Sequence, residues 1–217
     1  MSRRFLTFGP FSVLVALALL WTGSPCAEET SQRARLNATD AADVVRIEAY
    51  LNAISTLQAR FLQVSSDGGY AEGDFYLFRP GRLRIDYDPP VPVLIVANGR
   101  HLIYFDEKLS QVTYLGLDST PAGILLADHI SFSGRIAVTH FERGEQALRV
   151  TLAQAGDPLA GNITLVFSER PLVLKKWIVE DAQGTTTTVS LFSARSGVPL
   201  NPDLFEFTAP PEAEPVN

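Results

Sequence analysis

The sequence predicts an α+β fold in one domain, built on a single strongly curved antiparallel sheet or incomplete barrel. Two observations point there. About eleven segments of strand character follow one another at a spacing near ten residues, and only two stretches carry helical signals. Glycine, proline and asparagine stand between the segments, as turns require.

From the N-terminus, Arg3 and Arg4 precede an uncharged apolar run, Phe11 to Trp21, and small residues around Ser24, Cys26 and Ala27 end it. That order is a secretory signal peptide, residues 1–27. The competing readings are a retained membrane anchor and a Cys26 acylated as in a lipoprotein. Subtracting 27 residues from 217 leaves 190, residues 28–217, enough for one domain. Losing Arg3 and Arg4 takes the formal charge from −6 to about −8, which argues against nucleic acid as a partner. Cys26 is the single cysteine. The exported chain is therefore expected without disulfides, a cysteine nucleophile or thiolate metal ligands, in a bacterial cell envelope.

Val44, Ile47, Leu51 and Ile54 recur at helical spacing, which predicts an amphipathic helix over Ala41–Leu57 capped by Asp40. Phe61–Ser65 reads as a strand, and Asp67-Gly68-Gly69 turns the chain into a meander. Gly73–Phe78 ends at Pro80-Gly81, a type II turn pair. Arg82–Asp88 alternates, three prolines interrupt, and Val93–Val96 leads to Asn98-Gly99, a hairpin signal before His101–Phe105. Strand parity places Phe75, Leu77 and Arg79 on one face, and likewise Leu83, Ile85 and Tyr87. Val112–Leu115 is followed by a short apolar helix signal, with Thr120 as cap, Pro121 in its first turn and Ile124, Leu125 and Leu126 on its body. Five more strands lie near 135–141, 146–153, 161–168, 173–180 and 185–192, and a last element at Leu204–Phe207 precedes a Pro- and Glu-rich tail.

Catalytic and metal chemistry leave little trace. His101, His129 and His140 are not at metal-ligand spacing. The carboxylate pairs Asp86/Asp88 and Asp106/Glu107 belong to turns and exposed strand faces, and no nucleophile elbow or phosphate loop occurs. No catalytic residue, cofactor or metal is assigned. What remains is apolar surplus: Phe75–Phe78, Val93–Val96 and Leu102–Phe105 carry large apolar groups on both faces. An ordinary sandwich core accounts for this, and so does a sheet-lined cavity closed by apolar helices around a ligand.

Phe61-x-Gln63, Gly73-Asp74, Arg79-Pro80, the proline-rich break, Val96-x-Asn98-Gly99 and Tyr104-Phe105-Asp106 resemble the periplasmic lipoprotein carrier family, LolA. Gln111, Thr120-Pro121 and Phe205-x-Phe207-Thr208-x-Pro210 extend the likeness over roughly Ala41 to Pro210. The resemblance implies an unclosed barrel of about eleven strands, with helices as a lid over an apolar cavity. It implies a periplasmic, non-enzymatic carrier in a Gram-negative bacterium, acting as a monomer. Such a carrier would take acylated lipoproteins from an inner-membrane ABC transporter to an outer-membrane acceptor lipoprotein, or to the outer membrane directly. It makes Arg79 the lid latch, with Phe75, Leu77, Leu83, Ile85, Tyr87, Ile124, Leu125 and Leu126 lining the cavity. The alternatives are a carrier or sensor of another envelope lipid on the same fold, an envelope lipid hydrolase, or a structural envelope protein without ligand. Leu83 stands where relatives often carry a bulky aromatic, and Gly123 should soften the lid helix.

Overall fold

The computed structural model describes residues 33–117, 120, 122–155, 161–180 and 184–216. Residues 1–27, the expected signal peptide with Cys26, and Pro121 lie outside them. Helix α1 (Ala38–Asn52) precedes six strands: β1 (Thr56–Ser65), β2 (Tyr70–Phe78), β3 (Arg82–Tyr87), β4 (Val93–Asn98), β5 (His101–Asp106) and β6 (Gln111–Gly116). The short helix α2 (Ala122–Leu126) follows. The rest comprises β7 (Ile136–Arg143), β8 (Ala147–Gln154), β9 (Asn162–Glu169), β10 (Leu172–Glu180), β11 (Thr186–Ser196) and β12 (Glu214–Val216).

All twelve strands form one sheet in the order β12-β6-β5-β4-β3-β2-β1-β11-β10-β9-β8-β7. β6, next to the edge strand β12, and β7, at the opposite edge, are consecutive in sequence and do not pair among the described residues, so the barrel is unclosed. The chain joining them must cross from one end of the sheet to the other, and it carries α2.

Four elements differ from expectation. α1 starts at Ala38 with Asn37 as its cap, whose side chain accepts the Asp40 N–H at 2.9 Å. It ends at Asn52, and Thr56 already belongs to β1. The apolar stripe outruns the helix because Ile54, in the turn, and Leu57, in the strand, reach the same core. The β4–β5 turn is centred on Gly99-Arg100, one residue later than Asn98-Gly99, because Asn98 pairs with Arg82 and its side chain accepts the N–H groups of Arg100 and His101. The last element, expected at Leu204–Phe207, starts two residues earlier as a 3-10 turn over Pro202–Phe205, capped by the Asn201 side chain. Finally, the tail contributes a twelfth strand, pairing Glu214–Val216 in parallel with Gln111–Thr113 at the β6 edge.

The concave face of the sheet carries the main core, with α1 and α2 packed onto it, and the convex face carries a smaller one. On the convex side Phe205 is fully buried against Phe78, while Phe207 packs on Phe105 over Ile103 and Val112. The C-terminal segment thus covers apolar groups that the strands display on their second face. This resolves the two-faced pattern of β4 and β5 without a second sheet.

Gly73 marks a close approach. A Cβ there would lie 2.0 Å from the Asp86 carbonyl and 2.8 Å from the Phe61 ring. Phe61 lies edge-on to Tyr87, with ring centroids 5.3 Å apart. Gly73→Ala is therefore expected to lower unfolding free energy by about 2–3 kcal/mol through overpacking, read as a reduced midpoint in urea denaturation with an unchanged slope.

Candidate functional site

The turn after β2 is the meeting point of sheet and helices. Gly81, at φ 76°, takes the left-handed position of the Pro80-Gly81 turn. Its carbonyl accepts the Gly99 N–H at 2.9 Å, and a Cβ on Gly81 would stand 2.8 Å from the Gly99 Cα. Its own N–H donates to Leu126 O, at the end of α2, at 2.8 Å. One residue pair earlier, the backbone N–H of Arg79 donates to Ser55 O at 2.8 Å, placing its side chain beside the end of α1.

The half-buried Arg79 guanidinium uses all five of its N–H donors. Nε donates to Ala127 O at 3.1 Å, and one Nη2 hydrogen to Asp128 O at 3.2 Å. The other three go to the end of α1: Nη1 to Leu51 O and to Ile54 O, and Nη2 to Asn52 Oδ1 at 3.3 Å. Helix C-termini leave carbonyls without intrahelical partners, and Arg79 serves both helices at once. Burial lowers its pKa, with the charge of Asp128 acting in the opposite direction.

Beneath this clamp lie the candidate lining residues. Phe75, Leu77, Leu83 and Leu126 are buried in the main core, with Ile85, Tyr87, Ile124 and Leu125 half-buried against it. The hollow is filled. Side chains of α1 and α2 occupy it, leaving a void of about 20 Å³ among Leu51, Phe75, Leu77, Arg79, Leu125 and Trp177, room for about one water. Ile124 faces differently from Leu125: together with Gly123 and Ala127 it borders a separate cavity of about 300 Å³ between α2 and the ends of β8 and β9. Toward β4–β6 the cover gives out, and the concave face there shows half-buried Ile85 and Ile95 beside exposed Tyr104 and Leu115.

Several residues escaped the sequence reading. Asn52 Nδ2 donates to Ile130 O at 2.8 Å and its Oδ1 accepts the Ile130 N–H at 2.9 Å. Glu48 accepts the Phe132 N–H, and Tyr50 Oη accepts the Leu174 N–H at 3.1 Å, beside an irregularity in the β9–β10 ladder. The buried Asp43 pairs with Arg143, which also reaches Asp40 at 3.4 Å and Glu169 at 3.3 Å. The only sequence trace of Asn52, Tyr50 and Asp43 is a polar group adjoining the apolar stripe of α1.

Tyr87 donates to Gln63 Oε1 at 2.9 Å. Its pKa is pushed up to about 12, chiefly by burial and further by Tyr104. A tyrosine whose folded pKa is raised stabilises the fold fully below its unfolded pKa, near 10, and the contribution fades as pH rises through the folded value. Stability should therefore fall from about pH 10 to about pH 12. Tyr87→Phe should flatten that fall, as measured by urea midpoints across the range.

Comparison with known proteins finds one family over most of the chain. The family described as "Outer membrane lipoprotein carrier protein LolA" matches residues 52–208. The outer-membrane lipoprotein carrier protein of Azotobacter vinelandii is 31% identical over 180 residues, covering 79% of this chain and 86% of that protein. Its namesake in Pseudomonas aeruginosa is 32% identical over 184 residues, covering 81% and 88%. A solved LolA superfamily protein from Nitrosomonas europaea aligns with 76% of this chain and 97% of its own at a TM-score of 0.43 and 12% identity.

Proposed function

The chain belongs to the LolA family of outer membrane lipoprotein carrier proteins, and from that premise we propose that it carries the acyl chains of lipoproteins across the periplasm without catalysing a reaction. Its partners are acylated lipoproteins, the inner-membrane ABC transporter that releases them, and an outer-membrane acceptor or the outer membrane itself. The observation that supports this reading is Arg79, whose five donors join the ends of both helices to the sheet above an apolar hollow.

The energetics support it. A buried methylene is worth about 0.8 kcal/mol, so one acyl chain of roughly 16 carbons left in water costs on the order of 10 kcal/mol. A void of about 20 Å³ holds no such chain. Loading therefore requires Leu125 and its neighbours on α2 to yield their place against Phe75, Leu77 and Trp177. Lipid and cover compete for the same apolar surface, and the stronger binder sets the population. Because the cover recovers its own burial when the chain leaves, the carrier binds less tightly than the hollow alone would, which favours hand-over. Arg79 suits the latch: its carbonyl partners can take water when released, so letting go costs little beyond the hydrogen bonds themselves.

Mass spectrometry of material co-purifying with the protein should return triacylated lipoprotein, and recovery of a different lipid class would redirect the cargo assignment. Arg79→Leu should fold and load lipoprotein but retain it, with delivery to outer-membrane vesicles reduced at least tenfold in a transfer assay, equivalent to about 1.4 kcal/mol. Wild-type delivery by that variant would remove the latch role.

A further inference from the structure

We propose that Asn52 is a second fastening within the cover, one that persists when Arg79 Nη2 lets go of its Oδ1. It ties the segment after α2 to α1, so that release of Arg79 frees α2 alone, pivoting about His129–Ile130, while α1 and residues 130–132 stay in place. This rests on the latch role proposed for Arg79.

The hydrogen bonds of the cover fall into two seams. The first joins the β2–β3 turn to the end of α2, through Gly81 to Leu126 O at 2.8 Å and Arg79 to Ala127 O and Asp128 O at 3.1 and 3.2 Å, with the remaining Arg79 donors reaching Leu51 O, Ile54 O and Asn52 Oδ1 at the end of α1. The second joins α1 to the chain that follows. There the Asn52 amide exchanges two hydrogen bonds with the backbone of Ile130, like a rung of an antiparallel ladder, and Glu48 takes the Phe132 N–H. Ile130 and Phe132 are buried to 3% and 6% exposure. In α2, by contrast, only Leu126 is buried.

The two helices are anchored unequally. α1 has Val44, Ile47 and Leu51 in the core, Tyr50 bonded to β10, and Asp40 and Asp43 held by Arg143 of β7. α2 has five residues, too few to be stable by itself, and its described tethers to the sheet are those of the first seam. On its far flank Gly123, Ile124 and Ala127 border the cavity of about 300 Å³, which leaves room for the helix to withdraw. Breaking the first seam thus exposes the Leu125 side of the hollow, while the second keeps α1 and Ile130 as a standing wall.

Pulsed electron paramagnetic resonance tests this in the full chain, with Cys26→Ser and spin labels on two pairs. Val45–Ala122 reports α2, and Val45–Ser133 reports the segment held by Asn52; Val45 and Ser133 are exposed. In Arg79→Leu protein without lipid, the Val45–Ala122 distance should lengthen by about 5 Å, one helical turn, while Val45–Ser133 is unchanged. Adding Asn52→Leu, or Asn52→Asp should the leucine variant not fold, should lengthen and broaden the second distance as well. Concerted movement of both pairs in Arg79→Leu, movement of neither, or an unmoved Ser133 after the Asn52 change would overturn the proposal. A synthetic tripalmitoylated lipopeptide added to Asn52-intact, Arg79-intact protein should reproduce the split. If that lipopeptide fails to bind while Arg79→Leu still splits the distances, the carrier reading fails and the two-seam cover stands.

Discussion

One guanidinium joins the ends of both helices to the sheet at a single point. Arg79 stands at the end of β2, and its planar fork meets carbonyls at the ends of two helices. The fit depends on geometry set elsewhere. The Arg79 backbone is held to Ser55, and the next turn, through Gly81, is held to both Leu126 and Gly99. A lysine could not reproduce it, since one ammonium offers three donors from a point and this site uses five from a plane.

Sheet curvature brings the helix ends within reach of that residue. β1, β7 and β10 each take part in a ladder whose register shifts, between Gln58 and Arg60, Val138 and His140, and Leu174 and Lys176. Such irregularities bend a strand and increase its twist. Gly73 adds a point where two strands and an aromatic ring crowd closer than a side chain permits. The C-terminal segment then covers the convex face with Phe205 and Phe207, so the concave face alone is left to the helices. Bending one sheet in this way separates a small core on the convex side from the main core on the concave side, the one that the proposed carrier role would open to lipid.

The division has a functional logic. Apolar burial is non-directional and roughly proportional to area, so the concave face is satisfied by leucines of a cover or by methylenes of a lipid. Hydrogen bonds are directional, and they decide which of these fillings is fastened. Cover residues such as Leu125 have a weak claim to their place, because α2 is short and borders empty space. α1 has a strong one, through Asp43, Tyr50 and Asn52.

Much of this was legible in the residues. Alternation placed Phe75, Leu77, Leu83, Ile85 and Tyr87 on one face, because strand side chains alternate whatever the sheet does at long range. Pro80-Gly81 marked its turn, since backbone conformation is local. The apolar stripe of α1 was readable while its end was not: Ile54 and Leu57 continue the burial in a turn and a strand, and periodicity registers burial rather than backbone type. The pairing of Glu214–Val216 and the partners of Asn52 depended on residues about 80 or more positions away along the chain. Sequence alone therefore settled which side chains seek shelter and where the chain reverses, both being short-range properties. Whether the hollow stands empty or filled, and which carbonyls receive Arg79, only the tertiary structure could decide, because those contacts exist only once distant segments have packed.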